Sequence, residues 1–130
     1  MKATQPLSLL LVDDSRIARL SLRRQLQSLG LELNLLEADS ADAAEARLQE
    51  QSADLALIDF NMPGRNGLEL AQSLQEHHPQ LRMALVTANI QDALAKRARE
   101  LGLEFLPKPT TAEQLAAFIN REAIDGAVQP

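Results

Sequence analysis

Not one of the 130 residues is cysteine, tryptophan or tyrosine, and only three are phenylalanine. Without cysteine there is no disulfide framework, no thiolate zinc site and no cysteine nucleophile. Lysine is nearly as scarce: three residues against ten arginines, in a chain of net charge −5 with no basic block. A domain of that charge is not expected to bind nucleic acid by itself. No apolar run approaches the roughly 20 residues of a membrane span. The run Leu9–Val12 behind Met1 and Lys2 is too short for a signal peptide and meets two aspartates. A soluble, cytoplasmic protein is the expectation. Only eight residues are Val or Ile, while Leu and Ala abound, so propensity alone would make almost everything helix. Length and punctuation must arbitrate.

The remaining composition is 45% hydrophobic and 24% charged, ordinary for one globular domain of this length. Five short apolar runs alternate with five segments of helical period. The runs are Leu7–Val12, Leu33–Ala38, Leu55–Asp59, Arg82–Thr87 and Glu104–Leu106. Several are almost continuously apolar, as strands buried on both faces of a parallel sheet are. Helices are expected at Ser15–Leu29, with Ile17, Leu20, Leu22, Leu26 and Leu29 as its apolar residues, and at 40–51, 67–77 and Ile90–Leu101. A last helix opens on Thr110-Thr111-Ala112-Glu113, a capping-box pattern. Gly30 and Gly102 terminate two of them. The domain core is set at 7–124 within a single domain 1–130, and 125–130 read as a frayed tail or the start of a linker. Strict alternation of strand and helix implies a doubly wound α/β fold with right-handed crossovers.

In such folds ligands gather beyond the carboxyl ends of the strands. Asp13 and Asp14 follow the first run, Asp59 ends the third, Thr87 ends the fourth, and Lys108-Pro109 follow the fifth. Three carboxylates about 4–6 Å apart repel by about 1–4 kcal/mol per pair at effective dielectrics of 20–80. A hard divalent cation with oxygen ligands offsets that repulsion, and Mg²⁺ suits a site of few carboxylates.

These residues stand in the stretches LLLVDDS (9–15), IDFNMPGRNG (58–67), LVTA (85–88) and FLPKP (105–109). Together they resemble the receiver domain of two-component response regulators, over about Leu7 to Ile124. The resemblance implies a (βα)5 flavodoxin-like (CheY-like) fold with five parallel strands in the order 2-1-3-4-5. It implies that Asp59 is the phosphoacceptor, phosphorylated by a histidine kinase or a histidine phosphotransfer domain. Asp14 would bind Mg²⁺ directly and Asp13 through water, with Asp59 and the backbone carbonyl of Asn61 completing the protein ligands. Thr87 and Lys108 would each take a phosphoryl oxygen, and Lys108 would pair with Asp59 beforehand. Movement of Thr87 would let Phe105 turn inward, which is the switch. Asn61 and Asn89 would tune attack of water on the phosphoaspartate. Met62-Pro63 and Gly64 to Gly67 would shape the loop beside the acceptor, and the Lys108–Pro109 bond would be cis.

By the same resemblance the chain is not an enzyme acting on other molecules; it catalyses only its own phosphorylation and dephosphorylation. It is either a stand-alone regulator or a domain of a longer one, monomeric or weakly dimeric, with an unidentified protein target and no membrane partner. Arg16, Arg19 and Arg23 share a helical face that would help dock the phosphodonor. His77 and His78 read as residues at a helix carboxyl end, where positive charge is mildly favourable. The alternative function is an Mg²⁺-dependent phosphohydrolase with an aspartyl-phosphate intermediate; such enzymes carry a second acid two residues after the nucleophile, where this chain has Asn61. A flavin protein would need aromatics for the ring and a phosphate cradle in place of Asp13-Asp14. A receiver that signals without phosphate would lack one of the acids, and none is missing.

Overall fold

The computed structural model describes residues 6–88 and 91–128. Five strands form one parallel sheet: β1 (Leu7–Val12), β2 (Leu33–Ala38), β3 (Leu55–Asp59), β4 (Arg82–Thr87) and β5 (Glu104–Pro107). Their order is β2-β1-β3-β4-β5, as the sequence implied. Between and after them run α1 (Arg16–Gln27), α2 (Ala41–Glu50), α3 (Gly67–His77), α4 (Asp92–Glu100) and α5 (Ala112–Val128). The fourth helix was expected from Ile90, which lies outside the described residues. The last one continues through residues 126–128, which the sequence had read as tail.

Alternation along each strand divides the apolar side chains between two cores. Leu10, Val12, Ala56, Ile58, Met83 and Leu85 meet α2, α3 and α4 on one face. Leu9, Leu11, Leu55, Leu57, Ala84 and Val86 meet α1 and α5 on the other, around the fully buried Phe118. Every residue of β3 is buried, which explains why it reads as an unbroken apolar block rather than an alternating one.

Local signals fix the helix boundaries. The hydroxyl of Ser15 accepts from the Ala18 amide at 3.1 Å and that of Ser40 from Ala43 at 3.0 Å. Asn66 and Glu69 close a reciprocal capping box on α3 at 2.9 Å each way. The box on α5 sits one residue later than expected: Thr111 and Gln114 exchange the bonds, at 3.1 and 3.2 Å. Gln114 is the residue that stands three beyond a cap at Thr111, and Thr110 is drawn elsewhere, into a pair of bonds with Gln25 of α1.

The apolar residues of α1 divide between core and solvent. Leu22 and Leu26 are buried, but Ile17 is 80% and Leu20 46% exposed. At about 100° per residue Ile17 lies half a turn around the helix from Leu26, so the two cannot share the core.

Candidate functional site

Asp13, Asp59 and Thr87 are the buried polar residues among those described, and all lie at the carboxyl ends of strands. Asp13 directly follows β1, which pairs with β3, and β3 pairs with β4. The topology therefore brings Asp13, Asp14, Asp59 and Thr87 to one edge, and Lys108 arrives from the end of β5. One oxygen from each of Asp13, Asp14 and Asp59 lies within 4.8 Å of the others. Asp14 is the exposed member of the three.

The first loop is held from three sides. The Asp13 amide donates to the Ala38 carbonyl at 3.1 Å. Its Oδ1 accepts from the Ser15 amide at 2.9 Å, and its backbone carbonyl accepts from Arg19 Nη1 at 2.6 Å. Asp13 Oδ2 is buried and receives no hydrogen bond among the described residues. A buried carboxylate oxygen with an open lone pair is costly unless another ligand takes it. The ammonium of Lys108 stands 3.5 Å from that oxygen and 2.8 Å from Asp59 Oδ1. Behind it, the Lys108 amide donates to the Thr87 carbonyl at 2.9 Å, tying the lysine's backbone to the end of β4. The Lys108–Pro109 peptide is cis.

Burial pushes the Asp59 carboxyl above its ordinary pKa. The Lys108 hydrogen bond pulls it back, while Asp13 and Asp14 add to the upward push. Burial also works against the Lys108 charge, but Asp59 and Asp13 together outweigh it and hold the ammonium above its usual pKa. The cluster of three acids thus sets more negative charge at this edge than the one lysine ammonium beside it offsets. Three carboxylates offering hard oxygens, one of them with a buried oxygen left without a hydrogen bond, form a donor set that a small divalent cation accepts.

Beyond Asp59 the chain turns sharply. The Gly67 amide donates to the Phe60 carbonyl at 2.9 Å. A Cβ at Gly67 would come within 2.3 Å of the Asp59 carbonyl oxygen, so a side chain has no room. Asn61 is exposed and Met62 buried in this loop. Phe105 is partly buried and packs against the core of α2, α3 and α4. Asn89 lies outside the described residues.

Two of the three α1 arginines expected at a docking face are paired within the fold. Arg19 and Arg23 both bind Glu37 of β2, at 2.9 and 3.0 Å. Sequence reasoning passed over Arg19 as a support of the acid loop, because its partners are a backbone carbonyl and a glutamate on a different strand. His77 sits exposed at the end of α3 with Nδ1 2.9 Å from the Ser73 carbonyl, as its position implied.

The family model of the response regulator receiver domain matches residues 9–120. The chain is 32% identical over 111 residues to the DNA-binding transcriptional regulator NtrC of Escherichia coli, covering 85% of this chain and 23% of that protein. It is 34% identical over 127 residues to the sensor protein EvgS of Escherichia coli, covering 92% and 10%. Among solved structures, chemotaxis protein CheY4 of Vibrio cholerae superposes with a TM-score of 0.79 at 24% identity, covering 89% of this chain and 98% of that one. A CheX–CheY complex with BeF3 and Mg²⁺ from Borrelia burgdorferi gives 0.81 at 20% identity, covering 91% and 90%. The chain thus belongs to the receiver domains of two-component response regulators. It spans less than a quarter of these two longer relatives.

Proposed function

We propose that this receiver is a phosphorylation-driven switch in which Asp59 accepts a phosphoryl group from a phosphohistidine. The observation that carries the reading is the convergence of three carboxylates within 4.8 Å on a lysine 2.8 Å from the third. The Asp59 carboxylate oxygen attacks phosphorus, an O–P bond forms, the N–P bond breaks, and the released imidazole takes a proton. Asp13, Asp14, Asp59 and the Asn61 carbonyl would hold Mg²⁺, with Asp13 acting through water. When bound, the ion neutralises charge on the transferring group. Lys108, already beside Asp59, pairs with a phosphoryl oxygen, and the Thr87 hydroxyl takes another. Each charge-assisted bond contributes about 1.5–3 kcal/mol. A tenfold shift between two states needs only about 1.4 kcal/mol.

The bond between the Lys108 amide and the Thr87 carbonyl supports a joint movement of β4 and the Lys108 loop, with Phe105 turning inward as Thr87 advances. Asn61 brings no acid to activate water, which favours a switch over a phosphohydrolase and restricts catalysis to the protein's own phosphorylation and dephosphorylation. The phosphodonor, a histidine kinase or phosphotransfer domain, would seat on exposed Ile17 and Leu20 of α1. Beside them in sequence, Ala18, Ser21, Leu22 and Gln25 of α1 line a cleft of about 370 Å³ that opens toward the loop of Lys108, Pro109 and Thr110.

Incubation with acetyl phosphate and Mg²⁺ is expected to add one phosphoryl mass to the protein, and Asp59→Asn to abolish the addition. Undiminished labelling of that variant in a mass spectrum would place the acceptor elsewhere.

A further inference from the structure

We propose that Arg65 is a positioning residue that holds the loop between β3 and α3 so that Asn61 presents its backbone carbonyl to the acid cluster. The proposal rests on the reading of that cluster as a Mg²⁺ site. The loop's ends are fixed by the Gly67-to-Phe60 bond and by the Asn66–Glu69 box. Between them lie exposed Asn61, Pro63 and Gly64, a stretch in which the chain turns through a positive φ of 77° at Gly64. From this stretch the Arg65 guanidinium reaches across to α2. Its Nη1 lies 2.9 Å from Glu45 Oε2 and its Nη2 2.7 Å from Asp42 Oδ1. The two acids stand three residues apart, on adjacent turns of one helix face. Glu45 Oε2 also accepts from the Ser73 hydroxyl of α3 at 2.7 Å. One carboxylate therefore joins α2, the loop and α3.

A single exposed ion pair contributes little to stability. This one is a planar fork gripping two carboxylates from a third element, which restricts direction as well as distance. Two effects of removing Arg65 have opposite signs. Deleting a positive charge from the neighbourhood of an acidic site favours cation binding. Freeing the loop that carries a ligand carbonyl disfavours it. The positioning role requires the second to win.

The test is calorimetric titration with Mg²⁺ of the wild type, Arg65→Ala, Glu45→Gln and the double variant, with amide hydrogen exchange of residues 60–66 in the metal-free protein. Arg65→Ala is expected to weaken Mg²⁺ binding about tenfold, as loss of a ligand's support does, and to speed exchange in the loop while β1 stays protected. Glu45→Gln should weaken binding less, since Asp42 keeps one arm, and the double variant should be no worse than Arg65→Ala. Arg65→Lys, able to meet one carboxylate, should recover part of the affinity. Unchanged or tighter binding by Arg65→Ala, unaltered loop exchange, or additive losses would each overturn the proposal. Should Arg65→Ala fail to fold, Glu45→Gln decides by the same two readouts. A wild type that takes up no Mg²⁺ would overturn the underlying reading of the site and this proposal with it; equal binding by wild type and variant overturns the proposal alone.

Discussion

Burial, with Asp13 and Asp14 beside it, works against the charge on Asp59. Its pKa is raised, chiefly by burial, so in metal-free protein the charge subtracts from stability. The penalty is absent below the ordinary value of 3.8 and grows as pH rises through the folded-state value. Asp59→Asn, melted in the presence of a chelator at pH 7, is therefore expected to be more stable than the parent. A gain of about 1 kcal/mol, or roughly 3–5 °C, is the scale one relieved acid pair allows, and it should vanish near pH 3. Lys108→Ala should still take phosphate from acetyl phosphate but respond poorly. Equal phosphate-dependent changes in the amide spectra of variant and parent would remove Lys108 from the switch. The acids, Thr87 and Lys108 were legible because each interrupts or follows an apolar run where the fold places ligands. Arg65 was not, because its partners lie 20 and 23 residues away on α2, and no local pattern marks such a pair.

Helix α1 shows what periodicity can and cannot reveal. Its extent was legible from Ser15 and Gly30, but a list of its apolar residues does not say which of them face the core. Their angular positions around the helix would have separated them. If the phosphodonor seats on Ile17 and Leu20, Ile17→Asp should slow transfer from a phosphohistidine partner about tenfold or more, with labelling by acetyl phosphate unchanged; an equal loss with both donors would place Ile17 in the fold instead. The start of α3 is constrained more tightly. Gly67→Ala forces a methyl group onto the Asp59 carbonyl, and an overpacked site of this kind costs about 1–3 kcal/mol. Urea unfolding should show that loss, together with weakened phosphorylation, because the displaced backbone is that of Asp59, the proposed acceptor.

Taken as one body, the molecule gains stability from what it binds. A ligand held only by the folded state adds about 2.7 kcal/mol at a concentration a hundred times its dissociation constant. Mg²⁺ is therefore expected to raise the melting temperature of the parent, and much less that of Asp59→Asn, reversing their metal-free order. Glu45 contributes in the opposite pH range from Asp59. The hydrogen bonds from Arg65 and Ser73, with Arg65's charge, hold its pKa below 4.5, so its contribution is complete above that value and lost as pH falls through the folded-state one. Stability curves of Glu45→Gln and parent should converge in acid. Among the described residues no helix is long and apolar enough to cross a membrane. The five-fold alternation and the strand boundaries were legible because buried parallel strands leave unbroken apolar blocks. Which face each helix covers was not, since that depends on the handed path of the chain rather than on any segment's composition.

The sheet is a wall between two rooms. Leu9 and Leu11 face α1 and α5 while Leu10 and Val12 face the other three helices, and substitutions that share no neighbours have nearly additive effects. The side chains lining one room can therefore be exchanged while the packing of the other keeps its shape, with only the rim of acids common to both.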